Sequence, residues 1–327
     1  MTAVLVTGGA GYIGAHVCKA LARAGWQPVA YDDLSNGHAE AVRWGPLIEA
    51  DLLDGDALAG AFRAFRPAAV IHLAGLIEVG RSMREPELFH RVNVEGSRRL
   101  LDAMAGLGAE AGVGRLVFSS SAAVYGEPEE TPIPEDHPLR PASVYGETKR
   151  LVEAMLAERG LAHVALRYFN AAGADPDGEI GERHEPETHA LPLAIMAALE
   201  GSEFQVFGTD YPTADGTAVR DYVHVADLAE AHVAALRHLE AGGAGGAFNL
   251  GTGQGVSVRE LVAAVEARVG RPLKTREAPR REGDPAVLVA APGDAARVLD
   301  WRPQVGEFDA IVESAVRWHR HLMAAAD

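Results

Sequence analysis

Short apolar runs alternate with segments of helical periodicity along the first half of the chain, and this alternation constrains the fold most strongly. The runs are near-continuous, which is typical of strands buried on both faces of a parallel sheet. They are Val4–Val6, Val29–Tyr31, Val70–His72, Leu116–Phe118 and Val164–Leu166. Between them, residues 14–24 and 94–104 carry apolar side chains at helical spacing. Strand, helix and strand in this order give right-handed crossovers, so the sequence predicts an α/β fold with a doubly wound parallel sheet.

The character of the sequence changes after Asn170, where Pro, Gly and acidic residues such as Asp175–Gly178 replace the regular alternation. We therefore expect a first domain over residues 1–170 and a smaller C-terminal α/β domain over residues 171–327. A later apolar run, Ala247–Gly251, is typical of a buried strand and is expected to rejoin the first sheet.

Composition excludes several classes of partner. The 327 residues include 46 acidic and 30 basic side chains, and the formal net charge of −16 repels polyanions, so we expect no nucleic-acid partner. The single cysteine, Cys18, excludes an intrachain disulfide, and no His/Glu group has the spacing of a helical zinc motif, so no metal is predicted. No apolar stretch reaches the ~18 residues of a membrane span, and the first strand leaves no room for a signal peptide. We expect no membrane partner and a cytoplasmic location.

Three glycines, Gly8, Gly11 and Gly14, directly follow the first predicted strand and open the first helix. They permit a tight turn, close approach of backbone N–H groups to a pyrophosphate, and close packing of helix on strand. The second strand ends at Asp32, 18 residues after Gly14, close to the ~20 expected for an acid that binds a ribose diol. Asp32 and Asp33 would repel the 2′-phosphate of NADP, and no arginine follows them closely. The pattern predicts a Rossmann-type site for NAD.

Other strand ends are candidate walls of this site. Asp51 and Leu52 follow the apolar pair Leu47–Ile48 and are positioned to contact the adenine, although a helix cap at Asp51 is an equal alternative. The small segment Leu73–Gly75 follows the fourth strand, where it can lie against the phosphates.

A tyrosine and a lysine suggest the chemistry. The fifth strand runs into Ser119–Ser121, at the edge of the sheet where ligands bind. Tyr145 and Lys149 then open a segment of helical spacing and lie one turn apart on one face. An ammonium one turn away stabilises the phenolate of a tyrosine, whose ordinary pKa of ~10 makes it a poor base. Only three of the 30 basic residues are lysine, so a lysine at this position favours a functional Tyr/Lys pair. The alternative interpretation is a core tyrosine beside an unrelated surface lysine.

These motifs resemble those of the extended short-chain dehydrogenase/reductase family and, within it, the 4-epimerases of UDP-hexoses. The glycine turn and the Tyr/Lys pair are shared by many sister enzymes. The sequence blocks at Gly208–Thr217 and Arg220–Val225 are typical of far fewer enzymes. The segments that carry the resemblance are Val6–Gly14, Asp33–Gly37, His72–Gly75, Asn93–Gly96, Ser119–Ser121, Arg167–Asn170, Gly208–Thr217, Arg220–Val225 and Arg280–Asp284.

The resemblance implies an NAD-dependent epimerase that interconverts UDP-glucose and UDP-galactose at C4 through a transient 4-keto sugar and bound NADH. Tyr145 would take the proton of the sugar 4-OH, Ser121 would hydrogen-bond the same oxygen, and Lys149 would anchor the nicotinamide ribose and lower the pKa of Tyr145. Residues 171–327 would then bind the nucleotide sugar, and the chain would form a homodimer.

The resemblance also implies two sets of contact residues. Those for the cofactor are Gly8, Gly11, Tyr12, Ile13, Gly14, Asp32, Asp33, Leu34, Ser35, Asn36, Gly37, Asp51, Leu52, Leu73, Ala74, Gly75, Asn93, Ser121, Tyr145, Lys149 and Phe169. Those for the UDP-sugar are Ser121, Tyr145, Asn170, His189, Ala190, Leu191, Gln205, Phe207, Arg220, Arg281, Asp284 and Leu288. Arg220 and Arg281 suit the diphosphate, because guanidinium binds phosphate in a bidentate manner; ordinary ion pairs with Asp221 or Asp284 are the alternative.

Two departures from the family pattern bear on specificity. Ile77 stands where relatives often carry a lysine near the cofactor phosphates, and Leu288 occupies the position that gates N-acetylated sugars. We hypothesise a modest tolerance of UDP-N-acetylglucosamine. An epimerase of that sugar or of UDP-glucuronate is the alternative function. A dehydratase would need a carboxylate where the chain has Ala122–Ala123, and a regulator that only senses NAD would have lost Tyr145 or Lys149.

Overall fold

The computed structural model describes residues 1–108, 113–281 and 283–326. Within them, a seven-stranded parallel sheet has the order β10-β6-β5-β4-β1-β2-β3, so the predicted α/β fold with a doubly wound sheet is confirmed. Its strands are β1 (Ala3–Thr7), β2 (Gln27–Asp32), β3 (Leu47–Glu49), β4 (Ala69–His72), β5 (Arg115–Ser121), β6 (Ala162–Tyr168) and β10 (Gly246–Leu250).

The path of the chain through this sheet creates a crevice. From β1 the chain moves outward to β2 and β3, and then crosses back to β4 on the other side of β1. Loops that leave the carboxyl ends of β1 and β4 therefore turn in opposite directions, and ligands of such sheets bind at this point.

Helices cover both faces of the sheet. Val17, Leu21 and Leu236 belong to a core cluster on one face, while Phe62, Leu101 and Val152 belong to a cluster on the other. The helices are α1 (Tyr12–Arg23), α2 (Gly55–Phe65), α3 (Val79–Ser82), α4 (Pro86–Phe89), α5 (Gly96–Ala103), α6 (Val144–Glu158), α7 (Ala190–Glu200), α8 (Val225–Glu240), α9 (Val258–Val269), α10 (Gly293–Val298) and α11 (Phe308–Ala326). Among the described residues, no helix has the length and apolar character needed to cross a membrane.

The helix expected over residues 94–104 is interrupted. Only Gly96–Ala103 is α-helical, and wider π-helical turns flank it at His90–Glu95 and Met104–Gly108. The hydroxyl of Ser97 donates to the carbonyl of Asn93, and the buried Asn93 side chain contacts Leu76. The first π-turn therefore aims Asn93 at the loop after β4, which is a common use of such turns.

The remaining strands form two smaller sheets: β7 (Asn170–Ala172), β9 (Val219–His224), β11 (Gly255–Ser257) and β13 (Val287–Leu288) in one, and β8 (Glu203–Phe207) with β12 (Lys274–Ala278) in the other. Helices α7, α9 and α11 pack together in a third core cluster. The division into two domains at residue 170 stays a prediction. Two elements from the second half of the chain belong to the first domain in space: β10 pairs with β6 in the large sheet, and α8 packs on one face of that sheet.

A buried lysine joins α1 to the segment that follows β7. The Lys19 Nζ lies 2.7 Å from Asp175, 2.8 Å from Asp177 and 2.6 Å from Glu179. The side chain of Lys19 is 6% exposed and that of Asp175 is 3% exposed, whereas Asp177 and Glu179 are about half exposed. This contact explains one of the chain's three lysines as a structural cross-link between the glycine-turn helix and the C-terminal region.

Candidate active site

The glycine turn after β1 leaves an open space at the start of α1. Gly8 has a φ of +73°, and a Cβ on it would lie 2.7 Å from the backbone nitrogen of Ala74. A Cβ on Gly11, by contrast, would meet only the Gly8 carbonyl, at 3.3 Å. The N-terminal N–H groups of α1 therefore face room that a side chain would fill, and a helix N-terminus favours an anion such as a pyrophosphate. The residues present fit NAD at this point.

Two carboxylates lie at the end of β2. Asp32 is buried, and its oxygens accept hydrogen bonds from the N–H groups of Ala10 and Leu34, both at 2.9 Å. Burial raises the pKa of Asp32 above its usual range. Asp33 is exposed and accepts from the N–H of Ser35 at 2.9 Å. Since a carboxylate has about four acceptor sites, both can still accept hydroxyl groups of a ribose. Among the described residues, neither carboxylate forms an ion pair with lysine or arginine. Their negative charge is therefore not compensated by a nearby cation, and it would repel the 2′-phosphate of NADP.

The loop over residues 33–38 wraps the glycine turn. Gly37 approaches Asp32 so closely that a Cβ on it would lie 2.9 Å from Oδ1. Leu34 has a φ of +59°, in the left-handed region, and the N–H of His38 donates to the carbonyl of Ala10 at 3.0 Å. These contacts place Ser35 and Asn36 on the same edge as Asp32.

Of the two alternatives for Asp51, the helix cap is wrong. The carboxylate of Asp51 accepts from the N–H of Leu53 at 2.9 Å, and the carbonyl of Asp51 accepts from Tyr31 at 2.9 Å. Asp54 caps α2 instead, accepting at 3.0 Å from the N–H groups of Asp56 and Ala57. The exposed Asp51 therefore stays available at the edge of the predicted adenine site.

The segment after β4 forms the opposite wall of the glycine turn. The N–H groups of Leu73 and Ala74 donate to the Thr7 carbonyl at 3.0 and 3.1 Å. Gly75 lies against Asn93, whose amide accepts from the N–H of Leu76 at 2.8 Å and donates to its carbonyl at 3.0 Å. Asn93 thus holds this segment in place.

An apolar cluster lies beyond this segment. Ile77, at the position where the family resemblance often implies a lysine, packs against Leu76, Phe89 and Tyr145 and is part of an apolar wall.

Ser121, Tyr145 and Lys149 come together beyond the end of β5. Ser121 is the last residue of β5, and Ser143 caps α6 by accepting from Gly146 at 3.1 Å, which places Tyr145 in the first turn of α6. The Nζ of Lys149 donates to the Ser119 carbonyl at 2.9 Å and lies 5.7 Å from the centre of the Tyr145 ring. Tyr145 and Lys149 are both buried.

Burial dominates the electrostatics of this pair. It raises the pKa of Tyr145 to about 12, against the opposing influence of the Ser121 hydroxyl. It also lowers the pKa of Lys149 to about 8, so the ammonium is still charged at neutral pH. Burial is therefore the dominant influence on the pKa of Tyr145 in a structure where the Nζ of Lys149 is directed at the Ser119 carbonyl, and the lowering of this pKa by Lys149 stays a prediction.

The candidate diphosphate cations lie on the C-terminal side. Arg220 is paired with Asp284 and donates to the Pro285 carbonyl at 2.8 Å. The carboxylate of Asp221 instead accepts from backbone N–H groups of Thr252 at 2.9 Å and Gly253 at 3.0 Å. Of the two alternative partners of Arg220, Asp284 is therefore the actual one, and Asp221 ties β9 to the turn after β10.

Arg281 lies at a surface cavity of about 320 Å³ that Asp284 also lines. Its guanidinium stacks 4.2 Å from the centre of the Phe207 ring, which explains why an aromatic residue ends β8 without being fully buried. Gln205 lies two residues earlier on the same strand. Glu282 lies outside the described residues.

Further predicted contacts connect the sheet edge with this cavity. The Asn170 amide donates to the Asp221 carbonyl at 3.1 Å, and Phe169 packs in a small apolar cluster. Leu288 packs against that cluster and is paired with Arg220 in the register of β13 and β9. Ala190 and Leu191 open α7.

Sequence reasoning missed the surroundings of His189. Its Nδ1 lies 2.8 Å from Glu182 and 3.1 Å from Glu187. Burial opposes the charged form, but the bonds to Glu182 and Glu187 outweigh it and raise the pKa of His189 to about 10. The only sequence signal was the density of His and Glu over residues 182–189, which fits no helical ligand spacing.

The fold and this site together define a class of protein. A glycine turn at a helix N-terminus, an acid at the end of β2 and a buried Tyr/Lys pair beyond β5 characterise a dinucleotide-binding α/β enzyme.

Comparison with known proteins narrows the class. Residues 4–251 match the NAD dependent epimerase/dehydratase family, and the chain belongs to this family. It is 51% identical, over 97% of its length and 96% of the relative, to a UDP-glucose 4-epimerase of Rhizobium meliloti. Its structure matches that of a Brucella ovis UDP-glucose 4-epimerase in complex with NAD, with a TM-score of 0.93 and 46% identity, covering 97% and 98% of the two chains. A UDP-glucose-4-epimerase of Stenotrophomonas maltophila, with bound NAD and formylated UDP-arabinopyranose, matches with a TM-score of 0.94 and 39% identity, covering 99% and 100%.

Proposed function

We propose that this chain is a UDP-hexose 4-epimerase that interconverts UDP-glucose and UDP-galactose and keeps its NAD bound through the cycle. The observation that carries the proposal is that the half-buried Ser121 meets the buried Tyr145 and Lys149 beyond the end of β5. Full-length relatives with the UDP-glucose 4-epimerase name support it.

The residues perform distinct parts of the reaction. NAD, when bound across the glycine turn, supplies the acceptor and donor of the C4 hydride. Tyr145 takes the proton from the sugar 4-OH and returns it, and Ser121 holds the same oxygen by a hydrogen bond. The buried Lys149 keeps a positive charge beside them, which favours the phenolate once the lysine turns away from Ser119. The 4-keto sugar then rotates in the pocket and presents its other face.

The substrate carries a charge of about −2 and approaches a protein of net charge −16, so its binding needs a local positive field. Arg220, which pairs with Asp284, and Arg281, which lines the same cavity as Asp284, provide that field. We infer that Arg220 keeps Asp284 as a partner while it binds phosphate, which leaves the other carboxylate oxygen of Asp284 for the uridine ribose.

The finer biological assignments rest on the family resemblance. We infer a homodimer that acts in galactose metabolism in the cytoplasm, with the division into an NAD-binding domain and a nucleotide-sugar-binding domain at residue 170. Light scattering coupled to gel filtration measures the oligomer directly, and a monomer at micromolar concentration would contradict this part of the proposal.

The central experiment offers UDP-galactose, UDP-N-acetylgalactosamine and UDP-glucuronate separately, with no added NAD, and separates the sugar nucleotides afterwards. We expect brisk C4 epimerisation of UDP-galactose and slow turnover of the N-acetylated sugar, because Leu288 is neither bulky nor small. Tyr145→Phe should slow both reactions strongly, while Tyr125→Phe, which alters a buried tyrosine outside the site, is the matched control. A need for stoichiometric NAD with accumulating NADH would favour a dehydrogenase instead.

A further inference from the structure

Four side chains with metal-binding atoms converge just before α7. Glu182, His184, Glu187 and His189 each offer one such atom, and these atoms all lie within 4.8 Å of one another. The Nδ1 of His184 is 3.2 Å from Glu182 and 3.6 Å from Glu187. The corresponding distances for the Nδ1 of His189 are 2.8 and 3.1 Å. We call these four residues the His/Glu cluster.

The charge of the cluster needs compensation. The side chains of Glu182 and Glu187 are each 5% exposed, and among the described residues neither pairs with lysine or arginine. Arg183, between them in sequence, pairs with Glu40 and Glu185 instead. Two buried carboxylates are costly unless two positive charges accompany them. Either both imidazoles are protonated, or one divalent cation binds between neutral imidazoles and the two carboxylates.

The geometry favours the cation. Four ligands at ~2.0–2.1 Å around a tetrahedral zinc ion lie about 3.3 Å from one another. The Nδ1 atoms of His184 and His189 lie 3.2 and 2.8 Å from the same oxygen of Glu182, close to this value, and 3.6 and 3.1 Å from the two different oxygens of Glu187. Among the residues that the structure describes, the buried Nδ1 of His184 has no hydrogen-bond partner although Glu182 is near, so its direction suits a point between the carboxylates better than either oxygen.

Outer contacts fix the ligands as metal sites require. One oxygen of Glu187 accepts from the N–H groups of Thr188 at 2.7 Å and His189 at 2.8 Å. The indole of Trp318 donates to the Glu182 carbonyl at 2.9 Å. Such second contacts orient ligands and raise metal affinity.

A second acidic group shows the contrast. Asp175, Asp177 and Glu179 also bring oxygens together, but Lys19 Nζ already lies 2.6 to 2.8 Å from all three. Their charge is compensated by the protein itself. Within the part of the chain that the structure describes, no lysine or arginine reaches the His/Glu cluster, and it combines nitrogen with oxygen donors, the mixture that zinc and related metals prefer.

We propose that Glu182, His184, Glu187 and His189 bind one divalent transition-metal ion of the Zn²⁺ class. The ion fixes residues 182–189 at the start of α7, beside Tyr12 of the glycine turn, whose ring centre lies 6.3 Å from that of His184. The role of this ion is structural. This site revises the expectation of no metal, and it stands whether or not the chain is an epimerase.

Metal content of the full-length, tag-free protein tests the proposal directly. After dialysis against a chelator, the protein is titrated with Co²⁺, and the visible absorption of a tetrahedral site and the metal retained after gel filtration are measured. We expect one Co²⁺ per chain, displaced by Zn²⁺. His184→Asn and Glu182→Gln should lose this absorption, whereas His238→Gln, which alters a half-buried histidine near the end of α8, should keep it.

Two results would overturn the site: no retained metal in the wild-type protein, or uptake that survives both cluster variants. If the variants fail to fold by circular dichroism, X-ray absorption of the wild-type Zn²⁺ form decides, because it must show two imidazole and two carboxylate ligands. Epimerase activity is measured in parallel, so loss of metal and loss of the proposed function are read separately.

Discussion

Replacement of Lys19 by methionine tests how strongly α1 is joined to the segment after β7. The change removes the only cation that the structure places next to Asp175 within the described residues. Breaking a buried ion pair costs about 3–5 kcal/mol, because one charge is left without compensation. Asp177 and Glu179 are about half exposed and stay hydrated, so only Asp175 is affected and the lower end applies. We expect Lys19→Met to lower the free energy of unfolding by about 3 kcal/mol.

Guanidinium unfolding followed by circular dichroism measures this loss. With an unfolding entropy of ~2.1 cal/mol/K per residue over 327 residues, the same loss lowers Tm by about 4 °C. Arg23→Met is the matched control on the same helix: Arg23 pairs with Asp177, both side chains are more than half exposed, and the loss should stay below about 1 kcal/mol.

A double variant separates charge from packing. Lys19→Met combined with Asp175→Leu replaces the buried pair by apolar groups and should recover most of the stability. The reasoning fails if Lys19→Met costs less than about 1 kcal/mol, or if Arg23→Met costs as much.

Three further predictions concern activity and local stability. Tyr145→Phe should lower kcat by a factor of about 10²–10⁴ in the epimerase assay, since it removes the acid and base, and near wild-type turnover would contradict that role. Because burial lowers the pKa of Lys149 to about 8, its ammonium is present below that pH and lost above it; turnover should fall as pH rises through about 8, and an alkaline limb that persists in Lys149→Met would refute the assignment. Asp54→Ala removes the cap of α2 and should cost about 1 kcal/mol of unfolding free energy by denaturant titration, with a smaller loss for Asp56→Ala, which makes no cap bond.

Local patterns carried most of the information about the fold. The apolar runs predicted strands of the sheet, because a strand buried on both faces must be apolar throughout. The glycine turn and the spacing of Tyr145 and Lys149 are equally local, since each depends on one turn of backbone.

Features that depend on distant contacts were beyond that reasoning. Lys19 meets Asp175 across more than 150 positions of sequence. The raised pKa of Tyr145 comes from burial among side chains such as Phe89, which lie on other elements. The sequence left two candidate partners for Arg220, Asp221 and Asp284. It could not decide between them, because Asp221 is excluded only by its hydrogen bonds from the backbone N–H groups of residues 252 and 253, which are distant in sequence.

The return of β10 to the outer edge of the large sheet has a consequence for how this protein can be divided. A chain cut at residue 170 would leave β6 as an exposed edge and would remove α8, whose Leu228 and Leu236 are fully buried against one face of the sheet. Uncovered edges and apolar faces promote aggregation. The cofactor half is therefore not a separable module: gene fusions, domain exchange or truncation must carry the chain through at least residue 250 to preserve it.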